Sequence, residues 1–214
     1  FLYAAKLQRI ERQIHHYGSG LNAIPVLSEY RSHPDDEYLL RVGYAGGSAA
    51  LTNIDREGFA SAAFHSYPDT LRWDAYSGDY GMNFFGYAIN AATYIADMKD
   101  FGWQAFGGNI IIDKGTVRVE PHDAMGRRIY IAPFGLWLTL DEGSFPTIYI
   151  SPKKRTVTLY FDEGPQSSVV RLRVEQTANV VGVFKPVANF ATERGAYVIP
   201  TDSFENVVTL SVQK

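Results

Sequence analysis

The sequence predicts an α+β chain: a helical part over residues 1–106 followed by an antiparallel β-sandwich over residues 107–214. Three observations lead there. Apolar residues recur at helical spacing near the start. A run from Tyr80 to Met98 is apolar on almost every side. From Asn109 onward, short stretches of alternating polar and apolar residues are separated by turn residues.

Residues 2–17 read as an amphipathic helix, with Tyr3, Leu7, Ile10, Ile14 and Tyr17 on one stripe. Gly18-Ser19-Gly20 reads as its stop, because glycine accepts the left-handed conformation after a helix end. His15 and His16, near that end, suit the negative pole of the helix dipole better than a metal or catalytic role. Residues 21–33 read as a loop punctuated by Pro25.

A helix is expected over about 35–53, opened by Pro34, with Ser32 and Asp35 resembling a capping box in which Asp replaces the usual Glu. Asp35, Asp36 and Glu37 suit the positive helix end, which is their structural role. Gly43, Gly46 and Gly47 lie inside this helix, where each glycine costs up to ~1 kcal/mol against alanine, so a close approach of another helix is expected. A shorter helix is expected over 56–65, ended by Pro68.

The helix of residues 80–98 is hydrophobic all round and calls for a sizeable core. Ahead of it, residues 65–79 form a loop carrying His65, Tyr67, Asp69, Arg72, Trp73, Asp74, Tyr76 and Asp79. A polar-aromatic loop beside a buried helix is a candidate binding site. Each residue also has a plain structural role. Asp79 would favour the helix start, Asp74 a turn, and Trp73 core packing.

Strands are expected from residue 109, beginning with a hairpin at Lys114-Gly115. In Thr156–Tyr160 and Val170–Val174, polar and apolar residues alternate, as in a strand with one face in a core.

Composition bounds the function. The chain has 214 residues and a net charge of −3, with no basic-aromatic patch, so neither nucleic acid nor an anionic membrane is expected as a partner. No apolar run is long enough to span a bilayer. Cysteine is absent, which removes disulfides, thiol nucleophiles and thiolate metal sites. Serine-hydrolase, P-loop, zincin and dinucleotide-binding motifs are absent too, and no metal or cofactor is expected. Fourteen tyrosines, Tyr 14 in an aromatic share of 14%, suit a sugar-binding surface and an all-β core alike.

The run SGDYGMNFFGYAINAATYIADMKDFGWQAFGG, followed directly by strands, resembles the end of a six-hairpin (α/α)6 glycosidase-like protein. The stretches YRSHPDDEYLLRVGYAGG and RVEPHDAMGRRIYIAPFGLWLTL resemble one group of large secreted microbial proteins in that clan. The resemblance covers roughly residues 1–175. It implies the last helices of an (α/α)6 toroid joined to a β-sandwich, an extracellular location and a glycan substrate. The start of the chain inside a helix, and too few helices to close a ring, suggest an upstream N-terminal part of the same protein as a partner.

Glycoside hydrolysis uses two carboxyl groups. Asp74 and Asp79 are the favoured catalytic pair, with Asp69, Asp35 and Asp36 as further candidates. Arg31, His33, Tyr67, Arg72, Trp73 and Tyr76 are the candidate substrate-binding residues. Two alternatives stay open. One is a polysaccharide lyase using Tyr30, Arg31, His33 or His65. The other is a non-catalytic module that only holds glycan.

Overall fold

The computed structural model describes residues 16–49, 51, 87–122, 126–162, 168–178, 180–201 and 206–213. They divide into two compact units. One takes in the described residues up to Tyr30 and those between Asp36 and Ala91; the other takes in Arg31–Asp35 and the chain from Ala92.

The first unit holds most of α1 (His16–Ser32) and all of α2 (Glu37–Ser48). The expected stop at Gly18–Gly20 and the expected loop over 21–33 are corrected, since α1 runs through both. Gly20, Ala23, Leu27 and Tyr30 are all buried and form one helical stripe. Pro25 lies on the exposed side, where the carbonyl it leaves without a donor can meet water. Burial of the stripe outweighs the local punctuation. Helix α2 starts two residues later than expected, and its cap is Asp36. The Asp36 Oδ1 accepts from the amides of Tyr38 at 3.1 Å and Leu39 at 3.2 Å. Gly43 gives the close approach its sequence suggests: a Cβ there would lie 2.7 Å from Leu27 Cγ.

The second unit is built on two β-sheets. Strands β1 (Thr93–Met98), β2 (Gly102–Phe106), β5 (Arg128–Ile131), β6 (Leu136–Leu140), β9 (Val169–Gln176), β11 (Ala191–Glu193) and β12 (Ala196–Pro200) form the first. Their order is β11-β12-β9-β6-β5-β1-β2. All neighbours are antiparallel except β1 and β5. Strands β3 (Gly108–Asp113), β4 (Thr116–Pro121), β7 (Thr147–Ser151), β8 (Thr156–Tyr160), β10 (Phe184–Pro186) and β13 (Val207–Val212) form the second, in the order β10-β13-β8-β7-β4-β3. Alternate residues of both sheets meet in one core. Leu136, Leu138 and Leu140 enter from the first sheet, and Ile148, Ile150, Val157 and Leu159 from the second. Each such buried side chain is worth about 1.5–3 kcal/mol.

The fold class is therefore corrected. Among the described residues there are two helices of more than one or two turns and no toroid; the described chain is mostly two-sheeted β-structure. The helix expected over 80–98 shows the cause. Residues 87–90 are helical, but Thr93–Met98 is strand β1, buried from Thr93 to Ala96. A strand buried on both faces has no polar alternation, so its apolar run also satisfies a helical template. Three strand-forming residues in a row, Thr93, Tyr94 and Ile95, favour the extended form. Residues 1–15 and 52–86 lie outside the described residues, with the helix expected over 56–65 and the loop over 65–79.

Candidate functional site

On the face of the first sheet turned away from the core, three aromatic residues stand side by side. Tyr94 is the register partner of Tyr130, and Tyr130 of Trp137. Tyr130 and Trp137 occupy outward positions between inward-facing aliphatics, Tyr130 between Ile129 and Ile131, Trp137 between Leu136 and Leu138. Their ring centroids are 5.9 Å apart for Tyr94–Tyr130 and 6.2 Å for Tyr130–Trp137, within the range of tilted aromatic packing.

The segment Arg31–Asp35 is strapped to this row. Tyr130 Oη donates to the Arg31 carbonyl at 2.9 Å, and Thr177 Oγ1 donates to the same oxygen at 2.7 Å. Carbonyls in the last turn of a helix have no partner within it, so these two hydroxyls supply what α1 lacks there. The Arg31 side chain is held as well. Its Nη1 donates to Tyr94 Oη at 3.2 Å, and the guanidinium carbon lies 4.9 Å from the Trp137 ring centroid. That is cation–π distance.

Burial pushes the Tyr130 phenol up to about 12; the Thr177 hydrogen bond and the Arg31 charge oppose this, and Tyr94 adds to it. Tyr130 thus stays protonated at neutral pH and serves as a donor. It is unsuited to act as a general base there.

A cleft of about 550 Å³ adjoins the strap. Ser32, Asp35 and Asp97 supply its polar wall, and Pro34, Pro133 and Val180 supply apolar surface. Asp35 and Asp97 are both exposed. Asp97 stands near the end of β1, paired in register with Trp103. Ala132 and Pro133 come from the single 3-10 turn between β5 and β6, which Gly135 closes with φ +57°. Gln176 Nε2 ties the neighbouring loop down, donating to the carbonyls of Gly135 at 3.2 Å and Ala178 at 2.9 Å.

Of the residues expected from sequence to bind or act on substrate, Arg31 and His33 fall in this strap. Arg31 is fixed by the contacts above, and His33 is exposed. Tyr67, Arg72, Trp73, Asp74, Tyr76 and Asp79 lie outside the described residues. Asp35 proves not to cap α2, which leaves its carboxylate to the cleft. Asp97, Tyr94, Tyr130, Trp137 and Thr177 were missed. The available signal was an aromatic with a polar edge at outward strand positions, in RIYI and LWLTL.

Among the described residues, no group of three His, Asp or Glu is placed to hold a metal ion, and no helix is long and apolar enough to cross a membrane. No curated protein and no solved structure matches the chain. The model of a family of unknown function, DUF5695, matches residues 1–209. The match spans nearly all 214 residues, and the chain belongs to the DUF5695 family.

Proposed function

We propose that this chain is part of a carbohydrate-active protein and that its two-sheet unit binds glycan in the cleft beside Asp97. One observation carries the reading. Two carboxylates and a hydroxyl, from Asp35, Asp97 and Ser32, share a cleft with the apolar surfaces of Pro34, Pro133 and Val180. A sugar ring offers hydroxyls at its rim and C–H groups on its face, which match those two kinds of wall. Carboxylates accept strong hydrogen bonds from hydroxyls. The volume falls in the range of small-ligand sites, roughly 300–1,000 Å³.

Binding fits this cleft better than hydrolysis. Asp35 and Asp97 face solvent, whereas a carboxylic acid that donates a proton at neutral pH is normally held in an apolar site. Hydrolysis, as a second reading, rests on the sequence of residues 65–79, where Asp74 and Asp79 stand among Trp73, Tyr76 and Arg72. There one acid would protonate the leaving oxygen while the other carboxylate activates water or attacks carbon.

Calorimetric titration with neutral oligosaccharides tests the binding reading. Asp35→Ala and Asp97→Ala are each expected to weaken affinity about tenfold or more, the worth of one charge-assisted hydrogen bond, with melting temperature unchanged. Wild-type affinity in both variants would place glycan elsewhere. Turnover by the wild type that is lost in Asp74→Asn and Asp79→Asn would support the hydrolytic reading; turnover retained in both would end it.

A further inference from the structure

A second cleft, of about 430 Å³, opens on the outward face of the first sheet at β6, β9 and the β11–β12 hairpin. Three arginines, Arg171, Arg173 and Arg194, and two carboxylates, Asp141 and Glu193, line it. The carboxylates are both engaged by one arginine. Arg171 Nε donates to Glu193 Oε2 at 2.8 Å, its Nη1 to Asp141 Oδ2 at 3.3 Å, and its amide to Asp141 Oδ1 at 2.8 Å.

The other two arginines are left without such partners. Arg173 has a single ion pair among the described residues, with Glu175 at 3.7 Å, beyond hydrogen-bond reach, and both side chains are about half exposed (52% and 46%). Arg194 has no ion pair among the described residues and is held at φ +49°, the first residue of a two-residue turn completed by Gly195. That position favours Asn, Asp or Gly, so arginine there is locally strained.

We propose that this cleft binds a carboxylate-bearing sugar, with Arg173 and Arg194 clasping the carboxylate against a wall fixed by the Arg171 pairs. Guanidinium forks match carboxylate geometry, which makes arginine the suited residue. The choice of a sugar as the carrier rests on the glycan reading above; the charge requirement does not.

The test is titration of the whole chain with a galacturonate trimer and with its methyl ester, which keeps the shape and removes the charge. The free acid is expected to bind about tenfold or more tightly than the ester, and its affinity should fall as salt rises. Arg173→Ala and Arg194→Gly should each weaken the free acid about tenfold or more and leave the ester unaffected. Arg194→Gly should also keep or raise the melting temperature, because glycine relieves the turn. Equal affinity for acid and ester, wild-type affinity in both variants, or no binding of the acid would each overturn the proposal. If the acid fails while neutral oligosaccharides still bind in an Asp97-dependent way, this inference falls and the glycan reading stands.

Discussion

Tyr130 donates its phenolic hydrogen to the main-chain carbonyl of Arg31 at 2.9 Å, joining residues 99 positions apart. Thr177 donates to the same oxygen at 2.7 Å from 146 positions away. Strand β5 and the residue that follows β9, two strands away across β6, thereby fix the segment that carries Ser32 and Asp35 into the cleft.

Because the carbonyl has two donors, either alone should largely satisfy it. Tyr130→Phe and Thr177→Val are each expected to destabilise by about 1 kcal/mol or less. The double variant should lose about 2–3 kcal/mol, more than the sum, because the carbonyl is then left without a partner. Urea unfolding of the four proteins measures this coupling. Strict additivity would show that the two hydroxyls act separately.

The Tyr130 phenol gives a pH dependence of defined sign. Its folded pKa is raised from 10.0 to about 12 by burial. Above pH ~10 the unfolded chain releases this proton while the folded chain retains it, so stability falls as pH rises. The contribution is fully present below pH ~10 and is lost by pH ~12, amounting to roughly 2–3 kcal/mol. Tyr130→Phe should flatten that part of the curve. An unchanged slope between those pH values would mean that Tyr130 ionises like an exposed tyrosine.

Gly135 is where the cleft-bearing turn tolerates least change. With φ +57°, it occupies the left-handed region, and a Cβ there would run into the Ala178 carbonyl and approach Ala178 Cβ to 2.9 Å. Gly135→Ala should destabilise by about 2–4 kcal/mol, through backbone strain and displacement of the Ala178 loop. It should also weaken glycan binding, since Ala178 and Val180 line the cleft. A melting temperature equal to wild type would contradict this.

Much of the sheet structure was legible because one-sided burial leaves a signature. In β8, buried Val157 and Leu159 alternate with more accessible Thr156, Thr158 and Tyr160, and the sequence repeats that pattern. The hairpin at Lys114-Gly115 was equally plain, and the chain turns there with both residues at positive φ. Strand β1 was not legible, because burial on both faces erased its alternation and left an apolar run open to a helical reading. Helix α1 was obscured in the opposite way. Its glycines and Pro25 signal a loop locally, while the buried stripe of Ala23, Leu27 and Tyr30 acts only once the helix packs. Arg31 and His33, expected from the polar cluster that contains them, stand on the strap beside the cleft, and neither lines it. Asp97 could not be singled out, since it joins Asp35 only through the fold.

The central claim is that glycan binds in the cleft shared by Ser32, Asp35 and Asp97, and amide chemical-shift mapping of the labelled chain during titration with a neutral oligosaccharide tests it most directly. The account predicts saturable shifts concentrated at Ser32, Asp35, Asp97, Ala178 and Val180, abolished in Asp97→Ala. Shifts confined to other surfaces, or none at millimolar sugar, would contradict it.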